Sequence, residues 1–437
     1  MKESSRWKDI KAIEEYILSI PKFTTKNNRE DTKDFYEYLR RPGRDSLIFH
    51  VAGTNGKGSV CSYLNSVLLE EGISAGMFTS PHLVSMRERI QYQGELIGEE
   101  AFVECFHQLM EQLNGFQERK PQYHPTFFEL LFFMAMLYFE EKNPKVIILE
   151  TGLGGRLDAT NIVEGEKVCV ITKIGMDHME YLGNTVEAIA REKAGIIQPG
   201  NKVIYSANRR EIAEVIEKKA GKAGALCKFV TKPENPVLSF VDKTIDFSFS
   251  SRYYGYIPIR IRTVAEYQIE NAALALTALE ESGLKISESG MKRGMARSVW
   301  PARMEEILPG VYLDGAHNED GIEAFLTTVL KDECKKERWI LFSVVADKEF
   351  LKMKEMLLSS GLFHHVYATC LKNIRGVKKQ QLEMIFSGEK VKIIESTKEC
   401  LQEILSQKKE GDLVYITGSL YLAGEVKEML EGLENPV

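Results

Sequence analysis

The feature that most constrains this chain is a short apolar run, Leu47 to Ala52, followed at once by Gly53-Thr54-Asn55-Gly56-Lys57-Gly58-Ser59 and then by a helical pattern, Val60 to Glu71. The run reads as a buried strand, the glycines as a tight turn, and the pattern after them as a helix. A turn of this kind presents backbone N–H groups and the positive end of a helix dipole to an anion. A lysine within it can reach the outer phosphates of a nucleotide, and a following serine hydroxyl suits Mg²⁺. The segment therefore reads as a phosphate-binding loop for ATP or a close relative. Its spacing departs from the common P-loop. Val51 stands where a glycine is expected, five residues before Gly56-Lys57, and Gly58 intervenes before the hydroxyl of Ser59.

The strand-then-helix order recurs along the chain. Ile73–Thr79, Val146–Leu149 ending at Glu150, Val168–Ile174 ending near Asp177-His178, and Val203–Ser206 read as strands. Helical patterns at 99–113, 126–141 and 185–197 separate them, and Pro199-Gly200 stops the last. The most apolar stretch, Phe127 to Phe139, is too short to span a bilayer and contains Glu129, so it reads as a buried helix. Residues 228–262 alternate with period two and read as a small antiparallel patch. After helices at 265–282 and 287–295 the pattern restarts, with strands at 311–313, 339–345, 366–369 and 413–417. The expected fold is α/β with two doubly wound domains. The first, residues 1–297, is a P-loop ATPase-like domain carrying the antiparallel patch; the second, residues 298–437, is smaller and Rossmann-like.

Composition excludes several classes of function. Charged residues nearly balance, 57 Lys+Arg against 63 Asp+Glu, which gives no bulk electrostatic case for nucleic acid or an anionic membrane. The seven cysteines are scattered and include no Cys-x-x-Cys, which points to reduced thiols in a cytoplasm rather than to disulfides or zinc. The N-terminal 20 residues are charged and lack the apolar core of a signal peptide.

Ligands of open α/β sheets bind beyond the carboxyl ends of the strands. Several polar groups stand at predicted strand ends: the 53–59 loop, Thr79-Ser80-Pro81-His82, Glu150 and Asp177-His178. Ser59, Ser80 and Glu150 supply hard oxygen ligands of the kind Mg²⁺ prefers. Downstream of Glu150, the glycine-dense run Thr151-Gly152-Leu153-Gly154-Gly155-Arg156-Leu157-Asp158-Ala159-Thr160-Asn161 reads as a loop that lets backbone approach a ligand.

The ordered set of motifs resembles one family. Gly53–Ser59, Thr79-Ser80-Pro81-His82-Leu83, Glu150 with its glycine-rich run, Asp177-His178, Arg191-Glu192-Lys193-Ala194-Gly195, Trp300-Pro301 with Arg303, and Asp314-Gly315-Ala316-His317-Asn318 occur together and in order. With the closing Thr417-Gly418-Ser419-Leu420, they make the chain similar to folylpolyglutamate synthase/dihydrofolate synthase, within the Mur ligase superfamily. The resemblance implies an ATP-dependent amide ligase that joins L-glutamate to the γ-carboxylate of a reduced folate through an acyl phosphate. It also leaves open a second activity on dihydropteroate. A nucleotide-binding protein without catalysis is the competing class, and the intact lysine and metal-ligand candidates argue against it.

Carried over residue by residue, the resemblance implies that Thr54, Asn55, Gly56, Lys57, Gly58 and Ser59 bind ATP together with Asn271, Arg303 and Asp314. Ser59, Ser80 and Glu150 would hold a first Mg²⁺; Glu150, His178 and a carbamylated Lys193 would hold a second. Lys57 and His317 are the catalytic candidates. Thr126, Phe127, Phe128, Gly155, Arg156 and Asp158 are the folate-binding candidates. The implied partners are reduced folate, L-glutamate and ATP, with no nucleic acid or membrane, and the implied state is a cytoplasmic monomer. Two positions depart from the family's pattern. Tyr267 stands where a histidine is common, before Gln268-Ile269-Glu270-Asn271-Ala272. The segment Phe23 to Glu30 replaces a glycine- and leucine-rich one bordering the pterin pocket.

Overall fold

The strand before the phosphate loop is the middle of a large sheet. The structure, a computed structural model, describes residues 9–21, 28–240, 242–345, 350–372 and 376–434. Of the N-terminal segment singled out above, Phe23 to Asn27 lie outside the described residues. The strands of the sheet are β1 Leu47–Ala52, β2 Ala75–Phe78, β3 Ile90–Tyr92, β4 Glu95–Leu96, β5 Val146–Glu150, β6 Lys167–Ile171, β7 Lys202–Tyr205 and β8 Leu226–Phe229. Their order is β4-β3-β2-β5-β1-β6-β7-β8. The run from β2 through β8 is parallel, and β3 and β4 add an antiparallel edge. The chain leaves β1 toward β2 on one side and later fills β6 on the other. β1 thus marks the point where strand order reverses, and the crevice beyond its carboxyl end is where such sheets bind ligands.

Two helices pack against this sheet. Phe127–Lys142 is apolar on every face, and the structure buries Phe127 and every residue from Glu129 through Phe139, as expected for a helix inside a core. Its one early charge has a local use: Glu129 accepts the Thr126 N–H at 2.8 Å in a capping box and the Thr32 hydroxyl at 2.6 Å. Phe35 meets Phe133 edge-on, ring centroids 4.9 Å apart, in the adjoining core. Among the described residues no helix is long and apolar enough to cross a membrane.

Lys57–Glu70, the helix that opens from the loop, packs against Glu288–Arg297 through a glycine. The Gly294 carbonyl accepts the Ser66 hydroxyl at 2.7 Å, and a Cβ on Gly294 would stand 2.5 Å from Val67 Cα. Glu70 pairs with Arg293 at 2.8 Å and also with Arg297.

Compact packing divides the chain into two units. Met1–Glu234, Ser248–Ile259 and Glu270–Ser298 form one; Asn235–Phe247, Arg260–Ile269 and Val299–Val437 form the other. The last crossing adjoins the boundary expected at residue 297, while segments 235–247 and 260–269 group with the second unit, which no contiguous division expresses. Residues 237–261 form the expected small patch, β9 Val237–Ser239, β10 Thr244–Ser251 and β11 Gly255–Ile261, in order β11-β10-β9. The second unit's own sheet comprises β12 Glu305–Leu308, β13 Val311–Leu313, β14 Arg338–Phe342, β15 His365–Thr369, β16 Val391–Ile394 and β17 Leu413–Thr417. Its order is β12-β13-β17-β14-β15-β16, parallel except for β12.

The Gly294 contact gives a paired stability test. Alanine gains about 1 kcal/mol over glycine in helix propensity, but at residue 294 its methyl group meets backbone. Gly294→Ala should lose about 1–3 kcal/mol in urea unfolding through overpacking. Gly221→Ala, in the helix Arg210–Ala223 where a Cβ meets nothing within 4 Å, should gain about 0.5–1 kcal/mol.

Candidate active site

The loop after β1 is shaped by what its backbone touches. Gly56 precedes the helix at φ 94°, ψ −8°, and no side chain caps the helix start. A Cβ there would be strained by the positive φ and would lie 2.3 Å from Asn271 Oδ1. An uncapped start leaves the first N–H groups of the helix, which have no intrahelical acceptor, to an anion. The loop's earlier donors are committed elsewhere. Thr54 and Asn55 donate their N–H groups to the Lys173 carbonyl at 3.0 and 3.3 Å, and the Thr172 hydroxyl donates to the Asn55 carbonyl at 2.8 Å. Thr54 and Asn55 therefore anchor the loop to the chain after β6, and Gly56, Lys57, Gly58 and Ser59 lead from the loop into the helix. Sequence reading missed Thr172 and Lys173; their place at the end of β6 was the available signal.

Three ionisable groups gather at the carboxyl ends of β1 and β5. Glu150, buried, accepts the Ser80 N–H at 3.0 Å, and its other oxygen lies 3.8 Å from Lys57 Nζ. Lys57 also donates to the Thr54 carbonyl at 3.3 Å. Lys193, buried, donates to the Gly53 carbonyl at 2.7 Å. Burial, and next the charge of Lys57, push its amine down to about 7. His178 is the exception among the expected metal ligands. It caps the helix Met179–Leu182 in a left-handed conformation, its side chain is 52% exposed, and Nε2 lies 3.7 Å from Asp177.

Among the described residues no group of three or more His, Cys, Asp and Glu side chains is placed to hold a metal ion. The expected ligand set has a different chemistry, two hydroxyls, one carboxylate, one imidazole and a lysine, and hydroxyl and carboxylate oxygens suit Mg²⁺.

The chain after β5 packs back onto the helix that ends at Lys193. Arg156 donates its N–H to the Glu192 carbonyl at 2.8 Å, and its guanidinium pairs with the Glu192 carboxylate at 3.0 Å. Gly155 lies so close that a Cβ would stand 2.9 Å from the Lys193 carbonyl oxygen. Asp158 turns inward: one oxygen accepts the Gly152 and Leu153 N–H groups at 2.8 and 3.0 Å, and the other accepts Thr160. Burial raises its pKa, against the pull of those donors. Across the loop, Phe128 fills the space a Gly152 Cβ would need, at 2.6 Å, and meets Phe78 at 5.5 Å. Phe127 is buried beneath the Arg89 guanidinium, 5.2 Å from its ring centroid, and Arg89 donates to His82 Nδ1 at 2.8 Å. Thr126 is the helix cap described above. Arg89 is a further residue that sequence reading missed.

In the second unit, Asp314 is buried at the end of β13 with three donors around it. Tyr267 Oη and the Met304 N–H each reach Oδ2 at 2.9 Å, and the Ala316 N–H reaches Oδ1 at 2.9 Å. Burial raises its pKa, opposed first by Arg303 and then by the Tyr267 hydroxyl. Tyr267, the departure from the family's pattern, thus acts as a neutral donor to Asp314. Arg303 donates to the Ala302 carbonyl at 2.8 Å and lies against Gly315, where a Cβ would be 2.5 Å from its Nη1. His317 Nδ1 donates to the Gly315 carbonyl at 2.8 Å, which leaves Nε2 as the proton acceptor of the neutral ring.

Comparison with known proteins finds related chains. Residues 51–279 match the Mur ligase middle domain family, and residues 302–420 match the Mur ligase glutamate ligase domain family. The chain is similar to the dihydrofolate synthase/folylpolyglutamate synthase of Bacillus subtilis, 33% identical over 94% of this chain and 96% of the relative. It is similar also to the folylpolyglutamate synthase of Lacticaseibacillus casei, 29% identical over 95% of this chain and 97% of the relative. Among solved structures it resembles E. coli FolC in complex with ADP, with a TM-score of 0.85, 28% identity and 98% of each chain covered. It also resembles an FPGS–AMPPCP–folate complex, with a TM-score of 0.84, 28% identity and coverage of 97% of this chain and 99% of that one.

The depressed Lys193 amine makes stability depend on pH. An unfolded lysine keeps its proton to about 10.5, whereas Lys193 in the folded chain gives it up above about 7. Between those values the unfolded state binds more protons, so stability rises with pH. In CO₂-free buffer the urea midpoint should climb from about pH 7.5 to about pH 9.5, and Lys193→Met should flatten that climb. An equal climb in the variant would show that the amine is not depressed.

Proposed function

The chain belongs to the Mur ligase family, in the group of folylpolyglutamate and dihydrofolate synthases, and from that premise we propose how its residues carry out the reaction. The protein is an ATP-dependent ligase that joins glutamate to folates. In the proposed sequence, a γ-carboxylate oxygen of the folate, or of its glutamate tail, attacks the γ-phosphorus of ATP and ADP leaves. The amine of L-glutamate then attacks the acyl carbon, phosphate leaves, and the amine's proton is lost as the amide forms. No protein nucleophile is needed. The requirement is charge neutralisation and positioning.

The observation that carries this reading is the strand-end cluster, with Lys57 3.8 Å from Glu150 and Lys193 2.7 Å from the Gly53 carbonyl. Lys57 exchanges its contact with Glu150 for the phosphates, whose remaining oxygens take the N–H groups of Gly56 to Ser59. Asn271, at the loop's edge, and Asp314 and Arg303, in the second unit, are the further nucleotide contacts. Ser59, Ser80 and Glu150 would hold one Mg²⁺, and Glu150, His178 and Lys193 a second, with Lys193 converted to a carbamate. Only a neutral amine adds CO₂, and an amine held near 7 is largely neutral at physiological pH. Bound Mg²⁺ would supply charge neutralisation at the phosphate oxygens. His317 Nε2 is the proposed acceptor for the proton of the incoming amine. Thr126, Phe127, Phe128, Gly155 and Arg156 are the proposed pterin-site residues. Asp158 serves that site through the loop it braces.

A second activity, joining dihydropteroate to glutamate, is supported by the double name of the B. subtilis and E. coli relatives. The seven cysteines are all free thiols, which supports a reducing, cytoplasmic setting. A monomer suffices for the proposed chemistry.

Phosphate release from ATP tests the assignment. It should require both a reduced folate and L-glutamate; release without folate, or none with both present, would overturn it. Lys57→Ala should lower kcat by about 10²–10³ with thermal unfolding little changed. Unaltered turnover would remove the loop lysine from the mechanism.

A further inference from the structure

His50 lies in β1, three residues before Gly53, and is fully buried. On the central strand it is flanked in register by Leu149 of β5 and Cys169 of β6, so its backbone has little freedom. Its Nε2 lies 2.8 Å from the hydroxyl of Thr160, itself fully buried. That hydroxyl has one proton and gives it to Asp158 Oδ1 at 2.5 Å. Thr160 can therefore only accept from His50, which assigns the imidazole proton to Nε2. Burial and the nearby charge of Lys167 both disfavour an imidazolium and keep the ring a single donor. His50 Nδ1 has no partner among the described residues, so the one hydrogen bond of this ring points toward the loop. The chain of contacts continues through Asp158, whose second oxygen holds the Gly152 and Leu153 N–H groups.

We propose that His50 is a positioning residue for the loop after β5. Through Thr160 it orients the Asp158 carboxylate, which fixes residues 152–153 and so sets where Gly155 and Arg156 stand. The ring ties the central strand to the loop proposed above to meet the folate. A carboxylate with two backbone donors on one oxygen can still rotate about its own axis. The Thr160 hydroxyl and N–H on the other oxygen stop that rotation, and His50 holds the hydroxyl's direction. The functional consequence rests on the reading that this loop meets the folate.

The test compares Thr160→Val and His50→Leu, which break the relay, with Thr160→Ser and His50→Gln, which keep a hydroxyl and a donor. Two readouts are taken on each full-length protein: hydrogen exchange of the peptide containing Gly152 and Leu153, and KM for folate and for ATP. The breaking variants should speed exchange and raise folate KM by about tenfold, the order expected for one lost hydrogen bond to a charged group. ATP KM should stay within about twofold, and the conservative variants should behave nearly as the parent. Unchanged exchange in folded Thr160→Val would overturn the proposal. So would equal damage from the conservative variants, since that would make the role one of packing alone. Faster exchange with unchanged folate KM would uphold the relay and overturn instead the assignment of this loop to the folate.

Discussion

The carbonyl oxygen of Gly53 is the point on which the site depends. It ends the central strand, and Lys193, 140 residues further along, reaches it at 2.7 Å from inside the fold. That contact holds a lysine amine where water cannot solvate its charge, next to a second lysine that makes protonation harder still. It also brings the end of the helix Val186–Lys193 beneath the phosphate loop, and the chain after β5 then packs on the same helix end through Arg156 and Gly155. The loop after β1, Glu150 and the loop after β5 are thus registered against one another by a few buried hydrogen bonds.

Strand order explains why these pieces meet. With β1 between β5 and β6, the segments leaving all three strands emerge side by side. Glu150 ends β5, the glycine-rich loop follows β1, and Thr172 and Lys173 follow β6. Each supplies a different element: a buried carboxylate, a helix start with no side-chain cap, and an anchor for the loop backbone. The second unit repeats the principle on its own sheet, where Asp314 follows β13 and is braced by Tyr267, Met304 and Ala316.

Much of this was legible in the sequence because it follows from local pattern. The apolar runs of β1, β5 and β6, the all-apolar helix from Phe127 and the glycine-rich turns declare themselves over a few residues. What was not legible depends on distant partners. Nothing near Thr54 and Asn55 says that their N–H groups will reach the Lys173 carbonyl. Nothing near Asp158 says that its oxygens face its own loop. The short antiparallel strands β3 and β4 and the exposed edge strand β8 lack the long apolar run that marks a central parallel strand, so they escaped notice. The segments 235–247 and 260–269 group with the second unit although the chain around them belongs to the first, and a linear reading cannot see that return. Tyr267 shows the opposite case: the sequence flagged a departure, and only the 2.9 Å contact with Asp314 gave it a meaning.

The central claim is that the site activates a carboxylate by phosphoryl transfer, through charge neutralisation and positioning and without a protein nucleophile. Labelling the folate γ-carboxylate with ¹⁸O addresses this directly, because an acyl phosphate passes one carboxylate oxygen to the phosphate that leaves. The account predicts one ¹⁸O atom in each inorganic phosphate released alongside the glutamylated product. Unlabelled phosphate accompanying full product formation would contradict it.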